Sequence, residues 1–428
     1  MREMKDSGIE WIGEIPKKWE LFQARRMFRN VKRIVGNAVD DYDRLALTLN
    51  GVIKRSKDDS EGLQPEKFEG YQILKENELV FKMIDLENVN TSRVGLSSYT
   101  GLVSPAYIVF TNEGEDNRYA YYWFMFMYYN EVFNHLGGDG VRSALNVKDM
   151  LSLPIPNLSM DEQIKISNYL DQKCFKIDSI IEKQKKIIEK LKEYKISIIT
   201  EAVTKGLNPD VEMKDSGVDW IGKIPSKYSL IKLKNLVSRP ITDGTHKTPI
   251  YDDEKTGIPF LSSKDVKKGY IDWSEIKYIT QDLHRILYKE TAVQKNDILL
   301  AKNGTTGIAA IVEDDRVFDI YVTLAMIRAN NNVILPRYLL YCLNSAISKV
   351  QFNQHLVGIG VPNLHLNVIN NTIIILCELS EQQKIIEFLD QLCKKIDNII
   401  LKLENSIKKY IEYRKSLIYE VVTGKKEV

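Results

Sequence analysis

Several turns of this chain carry cations and amides of the kind that grip phosphates and hydrogen-bond base edges. Lys54, Arg55 and Lys57 follow one short apolar run. Lys264, Lys267 and Lys268 crowd a turn of the second half, and His246, Lys302 and Asn303 stand in two others. Reading bases from a major groove asks for Arg or Lys on guanine and Asn or Gln on adenine, presented from elements that enter the groove. A further basic stretch, KKWELFQARRMFRNVKR, holds Lys17, Lys18, Arg25, Arg26, Arg29, Lys32 and Arg33, with only Glu20 opposing.

Catalytic constellations are missing by contrast. KNGTTG at 302–307 has glycines but not the terminal Gly-Lys-Ser/Thr of a phosphate loop. The five histidines, His135, His246, His284, His355 and His365, show no ligand spacing. The Asn/Asp-Pro-Pro-Tyr/Phe tetrapeptide of amino-methyltransferases is absent. Cys174, Cys342, Cys377 and Cys393 form no CxxC, which suits a reducing compartment. No uninterrupted apolar run reaches membrane length, and MREMKDSG lacks an apolar signal region, so a cytoplasmic protein is expected.

The elements that must position these side chains are legible as an internal repeat. Residues 161–204 return as 380–423, sharing EQ, LDQ, KID, EY and E-x-V-T at a constant offset of 219 residues. Neither copy contains Pro, and each carries a heptad. Leu170, Ile177, Leu191 and Ile198 form one column of the first copy, with Ile181 and Ile188 in the column beside it. In the second copy Leu389, Ile396, Leu403 and Leu417 are flanked by Ile400 and Ile407. Such stripes bury against another helix, and matching phase points to mutual packing. Forty-odd helical residues make a rod on the order of 60 Å. The nine-residue link KGLNPDVEM cannot span that rod, so the pair is expected to run antiparallel, with inverted domains at its two ends.

A chain of 428 residues is too long for one core. Ahead of each long helix lies a globular stretch. MKDSGIEWIGEIP at 4–16 returns as MKDSGVDWIGKIP at 213–225. LALTLNGVIKRS, ENELVFKMI and PAYIVFT read as strands. RYAYYWFMFMYYNEVFNHL reads as one buried helix, matched by PRYLLYCLNSAISKVQFNQHL. GGDGVRSALNVKDMLSLPIP reads as a Gly-rich loop followed by a strand, matched by GIGVPNLHLNV with one residue inserted. NELVFKMID matches NDILLAKNG at the common offset. The expected fold is α/β (α+β): globular domains at 1–158 and 207–378, separated by a long antiparallel two-helix coiled coil from helices at 159–206 and 379–428, with an internal pseudo-two-fold repeat. The frame is duplicated and the surfaces between its anchors are not.

At these residues the chain resembles the specificity subunit of a type I DNA restriction-modification system. The resemblance rests on DSGIEWIGEIP and DSGVDWIGKIP, on the EQ-to-LDQ helices and on the loop of Gly140, Arg142, Leu145 and Asn146. The second half also carries DGTH-x-TP: Asp243, Gly244, Thr245, His246, Thr248 and Pro249, with Lys247 between. It departs from the loop pattern with Pro362 where the first half has Arg142, so the arginine contact is not carried over there. The resemblance implies a non-catalytic subunit with two target recognition domains, each reading half of a bipartite double-stranded DNA site. The helices would set the gap and dock two methyltransferase subunits, which bind S-adenosylmethionine; motor-nuclease subunits would bring ATP and Mg. No cofactor is expected on this chain itself. The net charge of only +2 suits a subunit that shares its grip on DNA with partners. A second reading is a coiled-coil scaffold with two protein-binding domains.

Overall fold

The computed structural model describes residues 2–49, 51–59, 67–84, 86, 93–112, 117–136, 144–355 and 363–428. It divides into two compact units. Unit 1 joins Met1–Gln184 to Glu404–Val428, and unit 2 is Lys185–Leu403. Each unit holds one globular part, the first half of the helix that follows it and the last half of the other helix.

The repeats form helices Met160–Lys205 and Leu379–Val422. Both stop where a glycine takes the left-handed conformation, Gly206 with φ 74° and Gly424 with φ 72°. The predicted interface residues line the buried stripe. Leu170, Ile177, Ile181, Ile188, Leu389, Ile396, Ile400 and Leu417 are buried, while Leu191, Ile198, Leu403 and Ile407 are half-buried. Within each unit the two helix segments run antiparallel. In unit 1 the Arg414 Nε lies 3.1 Å from Asp178, and Gln184 donates to the Ser406 hydroxyl at 3.0 Å. In unit 2 Lys195 reaches Asp397 at 2.7 Å. These two ion pairs explain the repeated triplets: the Asp of each KID takes the cation that follows EY on the opposite helix.

Unit 1 builds two four-stranded sheets, in spatial order 51–55, 44–48, 101–103, 72–74 and 29–30, 108–111, 79–81, 94–96. Unit 2 also builds two, 242–243, 324–327, 298–301, 309–311 and 251–252, 277–279, 258–261, 319–320. Pairing is antiparallel except at Leu102 with Arg44 and at Phe260–Leu261 with Asp319–Ile320. The short apolar strands Leu79–Phe81 and Ile298–Ala301 are buried throughout and pair on both edges. Each enters from a turn whose asparagine has positive φ, Asn77 at 62° and Asn296 at 71°, a conformation Asn tolerates better than most residues.

Each globular part packs an aromatic-rich helix on its sheet and long helices. Tyr119 donates to the Val422 carbonyl and Tyr338 to that of Val203. Arg118 and Tyr122 meet Asp171, as Arg337 and Tyr341 meet Asp390. Each of these pairs repeats at the offset of 219. Trp11 packs against Trp123 and Phe126, with ring centroids 6.4 and 5.9 Å apart, so the WIG segment is a core pin.

Three expectations need correction. The aromatic helix is two, Arg118–Tyr129 and Val132–Leu136, because Glu131 takes φ 55° and interrupts the ladder. Its counterpart also breaks, into Pro336–Leu343 and Ala346–Gln354, where Ser345 caps the second piece. A six-residue helix, Val147–Ser152, precedes strand Pro154–Asn157 where only a loop and strand were expected. The inserted residue is not at the closing leucines. Leu145 N–H donates to Met83 and Leu364 N–H to Lys302, and both pairs keep the offset of 219.

Candidate nucleic-acid interface

The second unit gathers most of its predicted site residues into one polar cluster. Strand 242–243 leads into the DGTH turn, which lies on the backbone at 320–322. Thr245 N–H donates to Ile320 at 3.2 Å and Val322 N–H to Thr245 at 3.1 Å. Gly244 is required by this approach, because a β-carbon there would overlap the Ile320 carbonyl. Asp243 bridges the Lys302 ammonium and the His246 ring, whose Nε2 lies 3.3 Å away. The 302–307 turn is tied to its neighbour, since the Thr305 hydroxyl donates to Ser263 at 3.0 Å and Ser263 N–H to the Thr323 hydroxyl at 3.0 Å.

Burial then sorts the predicted cations. Lys302 keeps only 8% of its side chain exposed and Asp243 15%. That lysine is an internal counter-ion that anchors the DGTH turn, and its head is not offered to a ligand. His246, at 73%, stands out on the surface together with Lys247 and Lys264. The Lys264 ammonium rests on the Glu275 carbonyl at 3.2 Å and that of half-buried Lys267 on the Lys264 carbonyl at 2.8 Å. Lys264 also lies 3.9 Å from Asp265 and Lys267 3.9 Å from Asp272, so a swing to an anion gives up one solvent-exposed hydrogen bond and one long ion pair in each case. Asn303 is half-buried beside Asn363, and the side-chain oxygens of both are buried without a hydrogen-bond partner among the described residues.

The first unit distributes its candidates over separate elements. Lys54 and Arg55 end the hairpin strand Gly51–Arg55. Lys54 lies 2.7 Å from Asp43 and faces the Tyr99 ring, Arg55 pairs with Asp59, and Lys57 donates to the Val39 carbonyl. The hydrogen bond to Lys54 holds the Asp43 carboxyl below its ordinary value, and the same bond raises Lys54. Arg33 is committed to Glu78 through two hydrogen bonds of 2.8 Å. Arg25 and Arg26 lie exposed on the 3-10 turn Ala24–Arg26, with Arg26 over the Phe22 ring. Asn146 caps the short helix, its carbonyl oxygen accepting from Lys148 and Asp149 N–H. Arg142, Gly140 and Pro362 lie outside the described residues.

Sequence reasoning missed the residues that bind the second cluster together, Ser263, Thr305 and Thr323. Hydroxyls in turns carry no distinctive spacing, so only the run TT after KNG was a signal. It also missed the exposed Tyr270 on the hairpin that bears Lys267. Among the described residues no group of three or more His, Cys, Asp or Glu could hold a metal, and no helix is long and apolar enough to cross a membrane.

Residues 231–409 match the family described as the type I restriction modification DNA specificity domain. The chain is 26% identical over 288 residues to the type I restriction enzyme EcoBI specificity subunit of Escherichia coli, covering 66% of this chain and 60% of that protein. It is 20% identical over 338 residues to the EcoKI specificity subunit of Escherichia coli strain K12, covering 76% and 68%. A solved chain from work on complex assembly and conformational transition of the type I R-M system superposes with a TM-score of 0.67 at 11% identity, over 95% of this chain and 98% of that one. At that identity the superposition speaks for the fold.

Proposed function

We propose, from the premise that this chain belongs to the type I restriction-modification specificity subunits, that it reads a bipartite double-stranded DNA site without catalysing a reaction. Each unit reads one half-site, and the long helices set the spacing and dock two methyltransferase subunits. S-adenosylmethionine belongs to those partners, and ATP and Mg to the motor-nuclease subunits that complete the assembly. The observation that carries this reading is the contrast between frame and loops. Tyr119, Tyr122, Gln163 and Asp178 repeat at the common offset as Tyr338, Tyr341, Gln382 and Asp397 and make the same bonds. The DGTH turn and the Lys264–Lys267 turn have no counterpart in the first half. Two different readers on one mount suit an asymmetric target.

The DNA phosphates supply most of the affinity, and exposed cations such as Lys247, Lys264 and Arg25 suit that contact. His246, exposed on a turn fixed by Asp243 and Gly244, suits contact with base edges. The test exchanges residues 226–378 for those of another specificity subunit and maps methylation genome-wide. One half-site should change while the other and the gap stay. A change in both half-sites would overturn the independence of the two readers.

A further inference from the structure

We propose that Lys195, Lys268 and Lys349 of unit 2 form a phosphate-binding cluster for the DNA backbone. This deepens the function proposed above and rests on it. The three ammonium groups come from three elements: the long helix Met160–Lys205, the two-residue turn of hairpin Val266–Ile271, and helix Ala346–Gln354. Hydrogen bonds bring these elements together: the Asn344 amide, just before that helix, donates to the Ala309 carbonyl that also holds the hairpin, and Ala346 N–H donates to the Thr200 hydroxyl of the long helix at 2.9 Å. Gly269, at φ 96°, closes that turn, and its N–H is anchored on Ala309 at 2.9 Å, so the Lys268 tip is held in place. Lys268 and Lys349 are exposed and make no ion pair among the described residues, whereas Lys195 is matched by Asp397. Two cations are thus left uncompensated beside a third.

Such crowding is unfavourable without an anion. Partial desolvation, then repulsion from Lys349 and Lys195, lowers the Lys268 ammonium to about 8, with the neighbouring Cys393 acting weakly the other way. The frame does not require this arrangement. At the common offset Asn130 and Arg414 stand in place of Lys349 and Lys195, and the hairpin that bears Lys268 has no counterpart in the first half. A phosphodiester fits better than an acidic protein surface because the same hairpin carries Lys267 and the 3-10 turn just before it carries Lys264, beside the loops tied to the DGTH turn.

The sign follows from linkage. A phosphate favours charged Lys268, so binding takes up protons where the free group is partly neutral. With a free value of about 8, uptake at pH 8 is about half a proton.

The experiment measures binding of the full chain, assembled with its methyltransferase subunits, to a duplex carrying the methylated site. Calorimetry in buffers of different ionisation enthalpy gives proton uptake, and titration at several salt concentrations gives the salt slope. Lys268→Met should lower the magnitude of the slope by about 1 and remove the uptake. Lys268→Arg should keep the slope and remove the uptake, because guanidinium stays charged. Lys349→Met should keep uptake but move it to higher pH. Each variant is checked for an unchanged unfolding temperature. Duplex binding with wild-type slope and uptake in Lys268→Met would overturn the cluster alone. Weakened subunit assembly with an unchanged slope would assign the lysines to a protein surface and overturn it too. If the wild-type assembly binds no duplex, the proposed function itself fails.

Discussion

The two units keep the same anion at the mouth of their central strand but neutralise it from different directions. Glu78 precedes strand Leu79–Phe81 and Asp297 precedes strand Ile298–Ala301, one offset apart. Glu78 takes Arg33 from the N-terminal side, while Asp297 takes Arg328 from beyond strand Leu324–Ile327, at 2.7 Å. After the strand the contrast deepens. Met83 in unit 1 is apolar, and its counterpart Lys302 is a buried cation that needs Asp243. What repeats is therefore the demand for a partner, and where the partner comes from follows each unit's own loops. Frame and reading surface are physically coupled at these ion pairs.

The strongest way to break this comparison is to give unit 2 the unit 1 solution. Lys302→Met leaves Asp243 without its buried cation. Removing one member of a buried pair costs roughly 3–5 kcal/mol, discounted toward the lower end here because Asp243 keeps some solvent. Unfolding by denaturant should show that loss, and methylation should fail at the half-site read by unit 2. Lys302→Met with Asp243→Asn removes both charges and should regain most of the stability. If the single substitution leaves stability unchanged, the pair does not anchor the DGTH turn.

A smaller effect separates the two helix ion pairs. Arg414 meets Asp178 and also lies over the Tyr129 ring, whose hydroxyl accepts from it, whereas Lys195 meets Asp397 alone among the described residues. Arg414→Ala therefore loses packing and a cation–π contact as well as charge, about 1–3 kcal/mol. Lys195→Ala loses one half-exposed pair, about 0.5 kcal/mol or less. Thermal unfolding of the two variants should rank them in that order, and equal losses would mean that Tyr129 adds nothing.

Much of this was legible because periodicity and repetition survive in one dimension. The antiparallel helices follow from heptad phase and a nine-residue link, and the strand starting after Asn77 follows from its twin after Asn296. The break at Glu131 was hidden because the helix before it, Arg118–Tyr129, is apolar on every face, so no stripe shifts phase there. Helix Val147–Ser152 is too short for a helical period to show. The Lys302–Asp243 pair joins residues 59 apart, and nothing local marks a lysine as buried. For the same reason Lys302 and Asn146 read as exposed ligands when one is an internal counter-ion and the other a helix cap.

The smallest expected effect sharpens the comparison at the surface, where a reading cation should remain available. Lys54 is exposed, and Asp43 holds it by a bond that water can replace. The Asp43 carboxyl is held below its ordinary 3.8, chiefly by the hydrogen bond from Lys54 and then by its charge. A lowered folded value means that the pair's contribution is present above the unfolded value and disappears as pH falls below it. Both groups lie at the surface, so the effect on stability is too small to seek in unfolding. Carbon NMR of the Asp43 carboxyl reads it directly. Lys54→Met should move the titration upward toward the ordinary value and leave the unfolding temperature unchanged. A target duplex that draws Lys54 onto a phosphate should produce the same upward movement in the wild-type chain. If DNA leaves the Asp43 titration where it was, Lys54 stays with Asp43 and the hairpin contributes shape, not charge, to the first reader.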